Sequence, residues 1–293
     1  MAGALQIVNT FKQNLTGSGT YDNFAPGAGD VTSNSDGSLN VPSAPGAALI
    51  HLEEIWAVDD SDALEISLTG PDFADRVIGF QAFAPFNLDG NSAAKASLVS
   101  PGKLSQVVRS GNQFFVRGAD QGSGNGNIVF ILRYSNYPGI NAVLASAATV
   151  KAVAGNLVGV QVDLDASSGS GQGDWSEDVA LTSGAGNQLD GAKFYAIVGF
   201  TADAPCAAVA VRSFETGQMR IGAPIVGEAG HDPYSLLDIA DRYGDAMIPV
   251  IPGFNQSNVN LAVADPATTN VSVNVQLVEV PRALYEAAVS GGL

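Results

Sequence analysis

The chain has 293 residues, of which 46% are hydrophobic and 14% are charged, and this length suits about two domains with a core each. Its 34 glycines and 14 prolines favour short elements joined by turns, as in all-β proteins, and argue against long helices. A formal net charge of −16 argues against direct nucleic-acid binding, because the phosphate backbone would repel this surface.

The first half of the chain shows five patterns in succession. They are a strand at 4–17, a hairpin at 46–68, a helix at 100–111, and strands at 112–120 and 127–135. The helix is predicted from Ser100 as N-cap, Pro101 at the first helical position and Gly111 as the stop. In the last segment, "NIVFILRYS", apolar residues recur at every second position, which is the period of a strand.

The second half repeats these patterns in the same order. They lie at 156–169, 191–214, 232–244, 258–265 and 270–280. In the last, "NVSVNVQLVEV", Val and Leu alternate with Ser, Asn and Gln, as in a strand with one buried face. The spacing between matching segments falls from 145 to 143 before this strand, which predicts that Leu132 matches Val275. The order of the patterns therefore predicts that the chain contains one fold twice.

Each half supplies roughly eight short strands in ~145 residues, which suits a jelly roll of two packed sheets. The predicted fold is all-β, with two tandem eight-stranded jelly-roll barrels, each with a short helix inserted before its last strands. The first barrel is assigned to residues 1–140 and the second to 141–293. The residues predicted to be buried on the last strand of each barrel are Ile128, Phe130, Val273 and Val275.

Residues that could carry metal or redox chemistry are few. The chain has two histidines and one cysteine, too few for the His-rich metal site of a cupin barrel. His51, followed by Glu53 and Glu54, is explained by polar positions on a strand. Cys206 has no partner for an intrachain disulfide and is predicted to fill a core. We therefore expect no catalytic residue, no metal ligand, no cofactor and no enzymatic activity.

Carboxylates cluster in two predicted loops. Such groups could bind Ca²⁺ or serve as the acid and base of a glycosidase, but neither cluster has the spacing of a helix-loop-helix calcium site. Solvated turns explain both clusters, so calcium binding is left as an alternative and is not predicted. The two clusters are Asp59, Asp60 and Asp62, and Asp163, Asp165, Asp174, Glu177 and Asp178.

Two further motifs lack the context that their chemistry requires, and one tryptophan lies in a polar segment. The segment "SGSGQG" at 168–173 does not place a serine between a strand and a helix, as a hydrolase nucleophile requires. The segment "GNQLDGAK" at 186–193 leads into a strand, whereas a phosphate loop needs a helix N-terminus. Trp175 lies in the polar segment "GQGDWSED", where we expect it to contact a neighbouring subunit or a ligand.

Two consecutive jelly rolls with the same landmarks, and no catalytic constellation, resemble the double jelly-roll major capsid proteins of tailless icosahedral viruses, particularly membrane-containing bacteriophages. The resemblance covers nearly the whole chain and implies a homotrimer whose six upright barrels mimic a hexagon and tile a shell. It further implies contacts with other capsid trimers and with penton or minor capsid proteins, and a location in the virion after synthesis in the host cytoplasm. In this family the shell often lies over an internal membrane.

Two other classes stay open from the sequence. One is a carbohydrate-binding or glycosidase protein with two barrels, against which the absence of a recognisable export signal counts. The other is a spike, fibre or cement protein of a virion, which also needs only stable β domains and interfaces.

Overall fold

A computed structural model gives the architecture of the chain. It describes residues 3–26, 39–40, 49–59, 64–73, 80–83, 94–95, 106–109, 112–120, 124–135, 144–165, 175–184, 188–204, 206–213, 220–225, 234–238, 246–266 and 270–290. The fold is all-β, of the jelly-roll type, with curled antiparallel sheets. No helix among these residues has the length and apolar character needed to cross a membrane.

The strands of the first barrel are β1 (Gly3–Lys12), β2 (Tyr21–Pro26), β3 (Leu39–Asn40), β4 (Leu49–Asp59), β5 (Leu64–Thr69), β6 (Phe80–Phe83), β7 (Ala94–Lys95), β8 (Gln106–Arg109), β9 (Gln113–Asp120) and β10 (Gly126–Ser135). They form two antiparallel sheets. Sheet 1A has the strand order β8–β4–β10–β1, with β7 also paired to β4, and sheet 1B has the order β2–β9–β5–β6, with β3 paired to β9. The two sheets are joined where β1 pairs with β2 at Thr10 and Phe11.

The strands of the second barrel are β11 (Leu144–Ser146), β12 (Leu157–Asp165), β13 (Val179–Ala180), β14 (Phe194–Ala202), β15 (Cys206–Arg212), β16 (Ile221–Ile225), β17 (Tyr234–Ser235), β18 (Ala246–Pro252), β19 (Asn260–Pro266) and β20 (Asn270–Val280). They have the same arrangement as those of the first barrel. Sheet 2A has the order β18–β14–β20–β12, and sheet 2B has the order β13–β19–β15–β16. A short strand, β11, pairs with β18, and β17 pairs with β14.

A β-bulge marks the same place in both barrels. In sheet 1A, β10 pairs Ile131 with Glu54 but Leu132 with Leu52, so the register shifts by one residue. In sheet 2A, β20 pairs Gln276 with Gly199 but Leu277 with Ile197, so the register shifts by one residue here as well. Each of these four residues lies 145 positions beyond its counterpart in the first barrel. Because bulges bend one strand at a defined point, this match relates the two barrels position by position.

The bulge corrects one detail of the predicted repeat. Leu132 is equivalent to Leu277, and the prediction that it matches Val275 is wrong. The error came from matching Asn127 with Asn270 at the starts of the two strands. Pairing with β5 and β15 makes Ala119 of β9 equivalent to Ala262 of β19, so the spacing is 143 in this strand and 145 again between β10 and β20. The assignment of the barrels to 1–140 and 141–293 stays a prediction, because its boundary lies outside the described residues.

The helix predicted at 100–111 is wrong for the part that the structure describes. Residues 106–109 form β8, which pairs with β4 from Leu49 opposite Arg109 to Leu52 opposite Gln106. The two adjacent valines suit a strand, and pairing with β4 overrides the helix signals before them. Of the helix predicted at 232–244, residues 236–238 are helical, whereas 234–235 form β17. A 3₁₀ helix at Gly253–Asn258 also precedes the last two strands of the second barrel.

Two α-helices lie where none was predicted. Helix α1 (Ala147–Val153) begins after Ser146, whose hydroxyl accepts a hydrogen bond from the backbone N–H of Thr149 at 3.2 Å. Helix α2 (Arg282–Val289) follows Pro281 directly after β20 and buries Leu284 against the second barrel. Both lie on the second barrel, so its apolar contacts extend beyond its two sheets.

The barrel interiors follow the alternation of the strands. Val273 and Val275 are fully buried in the core of the second barrel, and Ile128 is fully buried in the first, as predicted. The side chain of Phe130 lies outside those described. The opposite face of β10 is also buried, since Val129 and Ile131 are both inaccessible to solvent. Something other than the interior of the first barrel must therefore cover that face.

Candidate functional site: the interface between the two barrels

The outer face of sheet 2B is built from alanine. Along β15 and β19, valine and leucine point into the second barrel, while alanine takes the alternate positions and points outward, as the two-residue period of a strand requires. The outward alanines are Ala208, Ala210, Ala262 and Ala264, and all are buried. Because a methyl group projects little from the sheet, this face is flat and allows a second sheet to approach closely.

The outer face of sheet 1A packs on these alanines. Ile7 of β1 and Val129 of β10 belong to the same buried cluster as the alanines, and Ile131 joins the core cluster of the second barrel. The contact includes backbone groups, because the N–H of Ile7 donates to the carbonyl oxygen of Arg220 at 2.9 Å. In addition, β1 and β18 pair in parallel at Gly3 and Ala246. The two barrels are thus joined by apolar burial and by hydrogen bonds.

A cluster of one aromatic and three charged side chains lies beside this contact. The guanidinium of Arg220 stacks over the indole of Trp175, with 4.4 Å between the guanidinium carbon and the ring centroid. Asp178 forms ion pairs with Arg220, at 3.2 Å, and with Arg212. Burial, and then the charge of Arg220, lowers the pKa of Arg212. Asp178 therefore forms ion pairs with two neighbouring cations at the interface.

Trp175 is held in place by the edge of sheet 2B. It forms an isolated β-bridge with Ala264. The next residue, Ser176, donates its N–H to the carbonyl of Val263 at 2.8 Å and accepts from the N–H of Val263 through its hydroxyl at 3.1 Å. Only 5% of Trp175 is exposed, so this indole is buried in the contact between the barrels of one chain. Its ring N–H has no acceptor among the residues that the structure describes.

The other candidate residues from the sequence do not form one site. His51 lies on β4 with a pKa lowered first by burial and then by the charge of Arg133. Asp163 lies on the outer face of sheet 2A, whereas Asp178 lies beside sheet 2B, so the second acidic cluster is divided between two sheets. Asp60, Asp62 and Asp174 lie outside the described residues. Within the described part, no three His, Cys, Asp or Glu side chains group closely enough to hold a metal ion.

Cys206 fills the core of the second barrel, as predicted. It is 2% exposed, and its thiol donates to the carbonyl of Ala204 at 3.4 Å. Burial raises the pKa of this thiol far above its ordinary value, so it stays protonated at neutral pH.

A polar groove of about 470 Å³ crosses the outer face of sheet 2A. The hydroxyl of Ser272 donates to Asp163 at 2.6 Å, and its backbone N–H donates to Asp203 at 2.8 Å. Hydrogen bonds from Ser272 and then Gln161 lower the pKa of Asp163. Both aspartates are exposed. The groove is lined by Gln161, Thr201, Ala202, Asp203, Ser272 and Asn274.

The architecture is that of a double jelly roll, and comparisons with known proteins add only distant likenesses. No protein-family model matches the chain, and no curated protein matches its sequence. The Eiger TNF of S. frugiperda overlaps 46% of this chain and 92% of its own, with 13% identity and a TM-score of 0.26.

Viral capsid proteins are among the structural neighbours. The STIV MCP overlaps 94% of this chain and 97% of its own, with 6% identity and a TM-score of 0.20. The VP2 subviral particle of infectious bursal disease virus overlaps 99% of this chain and 74% of its own, with 11% identity and a TM-score of 0.20. Scores this low carry no argument about function.

Proposed function

We propose that this chain is a structural protein of a virion, the major capsid protein of an icosahedral shell, and that it assembles as a homotrimer of pseudo-hexagonal outline. The observation that carries the proposal is the repeat of one barrel topology, matched down to the β-bulge, in two barrels joined by a buried apolar contact. One chain then supplies two similar units in a fixed relation, and three chains supply six around an axis.

The kind of contact within the chain supports a closed assembly. Sheet 1A of the first barrel meets sheet 2B of the second, so the contact joins two different faces. When such a heterologous contact is repeated, it generates either a ring or an open filament, and a ring is the closed form. Trimers would meet other trimers in the shell, together with penton and minor capsid proteins, and an internal membrane would lie beneath them.

The net charge predicts how such trimers respond to salt. At −16 per chain, copies repel one another at low ionic strength, and added salt shortens the range of this repulsion to about 10 Å at 0.1 M. We therefore expect trimers to form larger assemblies more readily as salt is raised.

Light scattering coupled to size-exclusion chromatography tests the proposal. The expected species has the mass of three 29.9 kDa chains, and electron microscopy at raised salt should show shell fragments or closed particles. A chain that stays monomeric at high concentration contradicts the proposal.

The polar groove on sheet 2A is the feature of the described residues that favours the alternative, a carbohydrate-binding or glycosidase protein. Amide, hydroxyl and carboxylate groups line it, and such groups hydrogen-bond sugar hydroxyls. Glycan-array binding by a monomer, abolished by Asn274→Ala, would favour that alternative over the capsid function.

A further inference from the structure

Asp178 bridges two arginines at the joint between the barrels. It directly precedes β13, an edge strand of sheet 2B, and its side chain is 15% exposed. Its Oδ1 accepts a hydrogen bond from Arg220 at 3.2 Å, and its Oδ2 accepts one from Arg212. The two oxygens of one carboxylate are thus directed at two different cations, and the ionised form gives the stronger hydrogen bonds.

The two arginines are close neighbours on sheet 2B. Val211 lies opposite Ile221 in the β15–β16 pair, and the adjoining residues of the two segments are Arg212 and Arg220. Burial, and then the charge of Arg220, lowers the pKa of Arg212, so the two cations repel each other. Like charges opposite each other destabilise a sheet. An ionised Asp178 offsets this repulsion.

Arg220 also connects the second barrel to the first. Its guanidinium lies 4.4 Å from the ring centroid of Trp175, and its side chain is 5% exposed. Its carbonyl oxygen accepts a hydrogen bond from the N–H of Ile7 at 2.9 Å. Ile7 and Trp175 belong to the same buried apolar cluster. A displacement of Arg220 therefore disturbs the contact between the two barrels.

We propose that the joint is a device sensitive to acid, in which protonation of Asp178 releases Arg220 from Trp175 and separates the barrels while each barrel stays folded. The proton binds a carboxylate oxygen and makes Asp178 neutral. Both arginines keep their charge, because a guanidinium is not deprotonated in proteins. Two cations then repel each other without the charge that held them. The device belongs to the single chain, so it operates in a monomer and in an oligomer.

Two other carboxylates are near Asp178 or its partners in the sequence. Glu177 precedes Asp178 and is exposed. Glu215 lies between the two arginines in the sequence, outside the described residues. Protonation of either group also makes the joint more positive, so it acts in the same direction as protonation of Asp178.

Sheet 1A contributes a histidine to the joint. His51 lies opposite Arg133 on the outer face of this sheet, and the register places Glu54 on the same face, although its side chain lies outside those described. Burial, and then the charge of Arg133, lowers the pKa of His51. The stability that depends on a neutral His51 is therefore present above the ordinary pKa of histidine and is lost as the pH falls below it. The experiment must separate this effect from that of Asp178.

Amide hydrogen exchange measures the joint, because the N–H of Ile7 donates across the two barrels. The amide of Val273, a buried residue of β20, reports the second barrel itself. Protection factors, which correct for the pH dependence of intrinsic exchange, are compared from pH 7 to pH 3. We expect the protection of Ile7 to fall at a higher pH than that of Val273.

Charge variants assign the effect to Asp178. Asp178→Asn keeps the shape of the side chain, and at pH 7 it should lower the protection of Ile7 by at least about tenfold, since removing one partner of a buried ion pair is strongly destabilising. Adding Arg212→Gln to this variant removes one of the two cations and should recover most of the loss. His51→Gln should keep the acid-induced fall, and Asp163→Asn, which neutralises an exposed carboxylate on sheet 2A, should match the wild type.

Each outcome decides the proposal. Equal protection of Ile7 in Asp178→Asn and the wild type at pH 7 overturns it, and so does a double variant that recovers nothing. If Asp178→Asn does not fold, the wild-type pH series decides, because loss of protection at Ile7 and Val273 at the same pH overturns the device. An acid-induced fall that disappears in His51→Gln assigns the effect to His51 and overturns the role of Asp178. The capsid function is tested separately, by the mass of the oligomer at neutral pH.

Discussion

Replacing Trp175 by alanine should destabilise the joint between the barrels more than any other single truncation at that surface. The indole is 95% buried, since 5% of it is exposed. Truncating a buried tryptophan costs about 3–5 kcal/mol, and losing the stacked Arg220 adds about 0.5–2 kcal/mol. Removing an N–H without a described acceptor returns about 1–3 kcal/mol, so the net loss of unfolding free energy should be about 3 kcal/mol.

Trp175→Phe is the matched control. It keeps a ring beneath Arg220 and removes only the N–H and part of the ring area, so we expect a loss of about 1 kcal/mol or less. Both variants leave Trp56 as the sole tryptophan of the chain. Because Trp56 lies on β4, its fluorescence reports the first barrel in both variants without interference.

Urea unfolding followed by two probes measures the effect. Fluorescence reports the first barrel, and far-ultraviolet circular dichroism reports the whole chain. In Trp175→Phe the two transitions should coincide, whereas in Trp175→Ala they should separate, because barrels that have lost their contact unfold independently. If the alanine and phenylalanine variants lie within about 0.5 kcal/mol of each other, the indole does not hold the interface and the reasoning is wrong.

Four further predictions concern a core phenylalanine, a closely packed glycine, the pH dependence of stability and bound metals. Phe200→Ala should cost about 3–5 kcal/mol in denaturant melts, because the ring is fully buried in the second barrel, and a loss below about 1 kcal/mol would contradict that burial. Gly222→Ala should be strongly destabilising, since its Cβ would lie 1.9 Å from a carbonyl oxygen of β15, whereas Gly191→Ala, with 3.8 Å of space, should be nearly neutral in the same melts. The hydrogen bond from Ser272 lowers the pKa of Asp163 below that of a free aspartate. The stability that this bond contributes is therefore fully present above the pKa of a free aspartate and is lost as the pH falls through the lowered pKa. A change in melting temperature between pH 7 and 5 that disappears in Asp163→Asn would refute the assignment. Elemental analysis should find no stoichiometric zinc or iron, and melting with and without chelator decides whether calcium is bound.

The pattern of β20 was readable because this strand has one buried face and one more polar face. In β20, Val271, Val273, Val275 and Leu277 point into the barrel while Ser272 and Asn274 do not, so the two-residue period stands out in the sequence. The repeat was readable for the same reason. The residue-by-residue alignment of the two barrels could not be predicted, because matching the ends of strands does not detect a loop that is longer before a strand and a loop that is shorter after it.

The helix predicted at 100–111 shows where local signals fail. Capping residues describe how a helix could begin, but β4 has a free edge that residues 106–109 complete. The benefit of that pairing depends on a strand some 50 residues earlier, which no local window contains.

The interface between the barrels could be predicted in part from the sequence. The alternation in "CAAVAV" and "NLAVAD" places small residues on one face of two neighbouring strands, and this signal was available before the structure. Trp175 was identified as unusual, but its partner was expected in another subunit or a ligand. Only the topology reveals that the neighbouring surface belongs to the same chain, because Ile7 and Val129 are far from Trp175 in sequence.

The direction of protein synthesis gives the buried face of sheet 1A a further consequence. The ribosome completes β1 and β10 before it makes β15 and β19, so Ile7, Val129 and Ile131 have no alanine surface to meet at first. At about 5–20 residues per second, the roughly 130 residues from β10 to the end of β19 take on the order of 7–26 s to emerge. Throughout that interval the nascent first barrel presents an apolar sheet to solvent, and a chaperone that covers it would have to leave when the second barrel closes over the same face.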